Sequence, residues 1–161
     1  MKKMLSVLLA IMMIATLALT GCGQNNDPTP DPAPATRTFT DSLGREVTLP
    51  ANLSKIAISG PLAQIVVFAI APEMMVGIAN GWADEAKGLI PDEYYNLPLL
   101  GQLYGGKGEL NLETLLQSGA EVVIDVGEQK DGMADDLNAL QEQTGIPFVH
   151  IDCYTDSCLL Y

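Results

Sequence analysis

The sequence predicts an α/β fold: a parallel sheet flanked by helices and preceded by a small β-hairpin. Three observations lead there. The stretch from Leu97 to Val126, LPLLGQLYGGKGELNLETLLQSGAEVVIDV, runs from a short apolar strand through a glycine-rich loop and a helix into a second strand, which is a βαβ unit. Val122, Val123, Ile124 and Val126 form a nearly unbroken branched run, the mark of a strand covered on both faces. The flanking segments continue the same alternation of strand and helix.

Taken in order, Thr38 to Pro50 (TFTDSLGREVTLP) holds two short runs around Asp41-Ser42-Leu43-Gly44, with Gly44 placed where a tight hairpin wants positive φ. Lys55 to Ser59 gives the first sheet strand. Gly60-Pro61 then opens a helix whose apolar residues Leu62, Ile65, Val66 and Ala69 are expected on its inner face, and Pro72 ends it. A short strand from Met75 to Ala79 follows, then a loop at Asn80-Gly81-Trp82 and a broken helix from Ala83 to Tyr95 interrupted by Pro91. In the central unit Leu99 and Leu100 end the strand, Asn111 caps the helix, Leu112, Leu115 and Leu116 share a face, and Gly119 stops it. Beyond the loop Gly127 to Gly132, a helix to Thr144 carries Met133, Leu137 and Leu140 inward, and Phe148, Val149 and Ile151 make the last strand.

The amino terminus fixes the compartment. Lys2 and Lys3 precede an apolar stretch from Met4 to Leu19, and Leu19-Thr20-Gly21-Cys22 closely resembles the lipobox of bacterial lipoproteins. Residues 1–21 are thus expected to be a signal peptide, with Cys22 the lipidated residue on the extracytoplasmic face of the bacterial membrane. Residues 22–37 (with GQNNDPTPDPAPAT from Gly23) read as a proline-rich tether, and residues 38–161 as one folded lobe. Every Asp and Glu lies beyond Cys22, so the mature chain sets 20 acids against six bases, a net charge of −14. Nucleic acid is excluded as a partner by such a field. Cys153 and Cys158 could pair outside the cytoplasm, but they close too short a loop to be a framework, and incidental thiols are the better reading.

A parallel sheet with helical crossovers binds its ligand outside the carboxyl ends of its strands. The loops so placed are Ser59 to Pro61, Asn80 to Trp82, Gly101 to Gly108, Gly127 to Gln129 and Asp152 to Tyr154. They hold the single tryptophan, Trp82, and the tyrosines Tyr104 and Tyr154, which beside glycines suit a broad, apolar or π-rich ligand. Gly101 to Lys107 matches GxxxxGK, but Gly108 replaces the Ser or Thr that should hold Mg²⁺, and the helix begins too late to meet a phosphate. No GxSxG or HExxH occurs, and His150, inside an apolar run, reads as an ordinary buried histidine. No catalytic residue, metal site or resident cofactor is expected.

DSLGREVTLP, KIAISGP, LPLLG, NLETLL and EVVIDVG, in that order, resemble the substrate-binding lipoproteins of ABC importers for iron-siderophores, haem and cobalamin. Asp41, Gly44, Arg45 and Val47 match the family's hairpin pattern, and Asn111, Leu112 and Glu113 its helix. The resemblance implies one Rossmann-like lobe of a two-lobed periplasmic-binding-protein fold, with no chemistry of its own. Its ligand, a ferric siderophore, haem or cobalamin, would touch Ser59, Gly60, Pro61, Trp82, Tyr104, Gly127, Glu128 and Gln129. It implies an ABC permease and its ATPase as partners, with Asp135 and Asp136 standing where the family docks on the permease. Family members continue into a bridging helix and a second lobe, and this sequence ends where that helix should begin, so only the amino-terminal lobe is expected. Two other readings stand beside this one: a lipid-anchored interaction module, and an inactive truncated fragment of the binding protein. A secreted hydrolase, with Ser59 as nucleophile, is the third.

Overall fold

The computed structural model of this chain describes residues 35–104 and 109–153. Cys22, the tether as far as Pro34, Lys107, Gly108, Tyr154 and Cys158 lie outside those residues. Strands β1 (Thr36–Thr40) and β2 (Glu46–Pro50) form an antiparallel hairpin in which Thr36 faces Pro50 and Thr40 faces Glu46. The pairing brings Thr36 and Arg37, expected in the tether, into β1. Gly44 has φ 76°, so the expected positive-φ turn forms where it was placed.

That turn is locked by Asp41. Its Oδ1 accepts from the N–H groups of Leu43 (3.0 Å) and Arg45 (2.9 Å), while Oδ2 accepts from Arg45 Nε (3.0 Å) and Nη2 (2.7 Å). The Arg45 guanidinium also donates to the Phe148 carbonyl (2.7 Å) and to Asn138 Oδ1 (2.9 Å). Ser42 N–H donates to the His150 carbonyl, and Ser42 Oγ accepts from Asp152 N–H. The hairpin is thus fastened through its turn to the last strand of the main sheet.

That sheet has β3 (Ile56–Ile58), β4 (Val122–Gly127) and β5 (Phe148–Asp152) side by side and parallel. The expected strands at Met75 to Ala79 and Leu99 are reduced to single parallel bridges, Ile56 with Met75 and Ile78 with Leu99. Gly77 is the reason for their close approach: a Cβ there would lie 2.5 Å from Leu100 Cγ. The spatial order is therefore Leu99, Ile78, β3, β4, β5, and the direction of winding reverses between β3 and β4.

Helix α1 (Pro61–Ile70) packs on β3 and β4 and corrects one expectation. Its buried residues are Ala63, Gln64 and Val67, while Leu62 and Ile65 are 40% and 60% exposed. A helix with a single polar residue has no period to read, and that residue decides the rotation. Gln64 Oε1 accepts from the N–H groups of Ala79 (2.8 Å) and Asn80 (3.1 Å), and its Nε2 donates to the Asn80 carbonyl (3.2 Å).

The broken helix appears as a 3₁₀ turn at Asp84–Ala86 and a single turn, α2 (Asp92–Tyr95). In α3 (Leu112–Ser118) the Asn111 side chain accepts from Thr114 N–H and Gly119 closes the end at φ 68°. Two turns bury Leu115 fully but leave Leu116 exposed. Helix α4 (Met133–Thr144) packs against β5 through Met133 and Leu137, with Leu140 partly buried, as its spacing predicted. On the hairpin side of the sheet, Val122, Ile124, Val149 and Ile151 meet Arg37, Phe39, Leu49 and Leu53 around an apolar cavity of about 150 Å³. No helix among the described residues is long and apolar enough to cross a membrane.

Burial pushes the Asp41 carboxyl up, but the Arg45 N–H and guanidinium and the His150 N–H outweigh it and hold it below the usual carboxylate range. A depressed carboxylate stabilises the fold above about pH 4 and loses that contribution as pH falls through its folded value. Asp41→Ala is expected to cost about 3 kcal/mol in urea unfolding at pH 7, because it leaves the Arg45 guanidinium buried without its partner. The variant should also lose part of the wild type's acid sensitivity. Gly101, at φ 79°, sits against the Glu109 carbonyl, so Gly101→Ala should lower stability by about 2 kcal/mol in the same assay.

Candidate functional site

The reversal of winding between β3 and β4 leaves a crevice at their carboxyl ends, because the two following connections leave the sheet in opposite directions. A cavity of about 140 Å³ lies there. The end of β3 and the start of α1 contribute Ser59, Gly60, Pro61 and Leu62. The end of β4 and the loop after it contribute Asp125, Val126, Gly127, Glu128 and Lys130. Tyr104 and Met133 complete the lining.

Ser59 is fixed at both backbone ends, its N–H donating to the Ile124 carbonyl (3.1 Å) and its carbonyl accepting from Leu103 N–H (2.7 Å). The second bond holds Leu103 at the end of β3, and Tyr104 next to it lines the cleft. The Ser59 hydroxyl donates to Asp125 Oδ1, and His150 Nδ1–H donates to Asp125 Oδ2 at 2.7 Å. Asp125 and His150 are direct partners in the β4–β5 register, so the three side chains form a row across three adjacent strands. Ser59, Asp125 and His150 are 1%, 6% and 0% exposed. His150 Nε2 has no hydrogen-bond partner among the described residues, so the histidine is buried as expected but only half satisfied.

Tyr104 donates its hydroxyl to Asp136 Oδ2 (3.3 Å), and the Lys130 ammonium stands 4.9 Å from its ring centroid. Burial, followed by the negative charge of Asp136 and its hydrogen bond, pushes the Tyr104 phenol up to about 12. Asp135 and Asp136 both lie exposed in the first turn of α4, where their charge suits the helix dipole.

Of the residues expected at the ligand, Ser59, Gly60, Pro61, Tyr104, Gly127 and Glu128 line this cavity. Trp82 and Gln129 do not. Trp82 donates its Nε1–H to the Tyr94 carbonyl (3.1 Å), and its ring packs 4.9 Å from that of Phe68. Sequence reasoning passed over Asp125 and Lys130. An ionisable residue inside the branched run VVIDV was the available signal, since such a group is buried at a cost unless partnered. The row also differs from a nucleophilic triad: the serine gives its proton to a carboxylate, and no hydrogen bond among the described residues joins Ser59 to His150. No group of three His, Cys, Asp or Glu side chains that could hold a metal gathers among the described residues.

A tyrosine whose phenol is pushed up to about 12 should show its 295 nm absorbance rise later than the remaining tyrosines, and Asp136→Asn should bring it earlier. The sign follows for stability. The neutral phenol's contribution is intact below about pH 10 and is lost as pH rises toward 12.

No known family model matches this chain, and no curated protein does. Solved structures do match. They include an ABC transporter solute binding protein from Sulfurospirillum deleyianum at 20% identity and TM-score 0.61, aligned over 73% of this chain and 36% of that one. A periplasmic solute binding protein from Veillonella parvula aligns at 20% identity and TM-score 0.58, over 75% and 36%. The molybdate periplasmic binding protein MolA from Haemophilus influenzae aligns at 24% identity and TM-score 0.55, over 74% and 35%. The chain therefore spans a little over a third of the length of these structures, and at such identity the likeness is one of fold. A three-stranded parallel sheet flanked by helices, preceded by an antiparallel hairpin, is the fold of one lobe of a periplasmic solute-binding protein.

Proposed function

We propose that this chain supplies a ligand-binding lobe of the extracytoplasmic solute-binding component of an ABC importer. It captures an iron-siderophore or a related metal chelate such as haem or cobalamin and delivers it to the permease and its ATPase. Cys22 carries the lipid that holds it at the outer face of the membrane, residues 22–37 are the tether, and Asp135 and Asp136 are the acids offered to the permease. The observation that carries this reading is the cleft at the reversal of winding, lined by Ser59, Asp125 and Tyr104, in a lobe of solute-binding fold. The chelate class comes from the sequence motifs DSLGREV and NLETLL. A cavity of about 140 Å³ is below the 300–1,000 Å³ of ordinary small-molecule sites, so a chelate would rest on this wall and be closed in by a second. MolA binds molybdate, which makes a bare oxyanion the natural competitor in any ligand panel.

Calorimetric titration with ferric siderophores, haem, cobalamin and molybdate tests the reading. Saturable binding of one chelate, weakened about tenfold in Tyr104→Ala, is the expected result. Silence across the panel, or binding indifferent to Tyr104, would defeat it. For the anchor, radiolabelled palmitate should enter the wild type and not Cys22→Ala, and the variant should leave the membrane fraction.

One observation favours a second reading, a lipid-anchored interaction module. Helix α1 carries no charged residue, and Leu62, Ile65 and Ile70 (77%) are exposed along it.

A further inference from the structure

The hydroxyl groups that border the cleft have no protons left to offer it. A hydroxyl carries one hydrogen and two acceptor sites, and a carboxylate only accepts. Ser59 gives its proton to Asp125 Oδ1, and Tyr104 gives its proton to Asp136 Oδ2. Asp125 is itself part of the lining, so the buried side chains there present oxygen lone pairs and a negative charge. The features that favour an anion stand further out. Lys130, with its ammonium over the Tyr104 ring, is exposed, Leu62 at the start of α1 is exposed, Pro61 has no N–H, and the N–H of Gly60 lies at the half-buried rim and belongs to the backbone.

We propose that the side chains on the floor of this cleft accept hydrogen bonds and do not donate them, so that the floor takes a ligand through a hydroxyl, amide or ammonium group and disfavours bare oxyanions, with Asp125 as the specificity-determining residue. The inference rests on the cleft being the ligand site. An oxyanion on this floor would set lone pairs against lone pairs and a buried charge, whereas a donor satisfies both oxygens it meets. His150 acts as a positioning residue. Its Nδ1–H holds Oδ2 of Asp125, which leaves Oδ1 turned to Ser59.

The same geometry fixes what Asp125→Asn would do. With the His150 proton kept on Nδ1, the amide oxygen takes its side and the NH₂ group turns to Ser59. The serine oxygen then accepts, and its proton is released toward the cleft. The substitution removes the negative charge in either tautomer of His150, and in the Nδ1–H form it also converts Ser59 from acceptor to donor.

The experiment is a calorimetric titration of the purified full chain, wild type and Asp125→Asn, with sodium molybdate and with ferrioxamine B. The latter is a ferric trihydroxamate bearing amide N–H groups and a free ammonium. The wild type should bind molybdate weakly or not at all, and the variant roughly tenfold to a hundredfold tighter. Equal molybdate affinity in the two proteins, or no gain in a folded variant, overturns the inference. Ferrioxamine titration of the wild type reports separately on the chelate reading: silence there, with a gain of molybdate binding in the variant, would sink that reading and leave the floor's polarity standing. Should the variant not fold, proton NMR of the wild type decides. A Ser59 hydroxyl proton that exchanges slowly and contacts Asp125 supports the proposal, and one that exchanges at the solvent rate overturns it.

Discussion

The pairing of Asp41 with Arg45 is the constraint on which the arrangement of the lobe depends. Both side chains are almost wholly buried, and the guanidinium that closes the hairpin turn also donates to the Phe148 carbonyl in β5 and to Asn138 in α4. A local turn and a long-range tertiary contact are thereby made by the same two residues. An ion pair removed from water gains little by itself unless its remaining donors and acceptors are filled. Here they are filled by the backbone and the Asn138 side chain, which converts a costly burial into a clamp with one geometry. The clamp also reaches the site, since Asp41 Oδ2 lies within 3.4 Å of the His150 N–H, on the residue that holds Asp125.

The cleft owes its character to strand order. Parallel strands bring their carboxyl ends to one edge, and the reversal between β3 and β4 opens that edge at Ser59 and Gly127. Across the three strands runs the polar row of Ser59, Asp125 and His150, in a sheet whose other buried side chains are apolar. Buried polar groups in such surroundings survive only when their partners are in place, and the row provides partners for all but His150 Nε2. Rigidity follows from the same bonds: Ser59 is held at its N–H, its carbonyl and its hydroxyl. A surface fixed in this way would lose little conformational entropy on meeting a ligand.

Helix α1 joins the two themes. Its one polar side chain, Gln64, is turned inward to hold the backbone at Ala79 and Asn80, so its apolar residues are divided between the core and the surface. Its first turn borders the cleft, and its exposed face continues from that border along Ile65 and Ile70. The cleft border and the exposed apolar face are accordingly adjoining parts of the same element.

Much of this lobe was legible in the chain itself. The hairpin with its Gly44 turn, the strand after Glu121, the Asn111 cap and the inner face of α4 all follow from local rules of φ, capping and period, and each formed where those rules put it. So did the placement of Ser59, Gly60, Pro61, Tyr104, Gly127 and Glu128 at the cleft, because strand direction alone assigns loops to an edge. What the sequence could not supply was set by contacts between distant residues. The rotation of α1 was decided by Gln64 reaching a backbone fifteen residues on, where an almost uniformly apolar helix offered no period to read. Trp82 went to Phe68 and Tyr94 instead of the cleft because ring packing within the lobe claimed it. Asp125 and His150 look like interruptions in two separate apolar runs. Only the parallel register of β4 and β5 makes them neighbours, and hydrogen-bond direction is a property of neighbours in space.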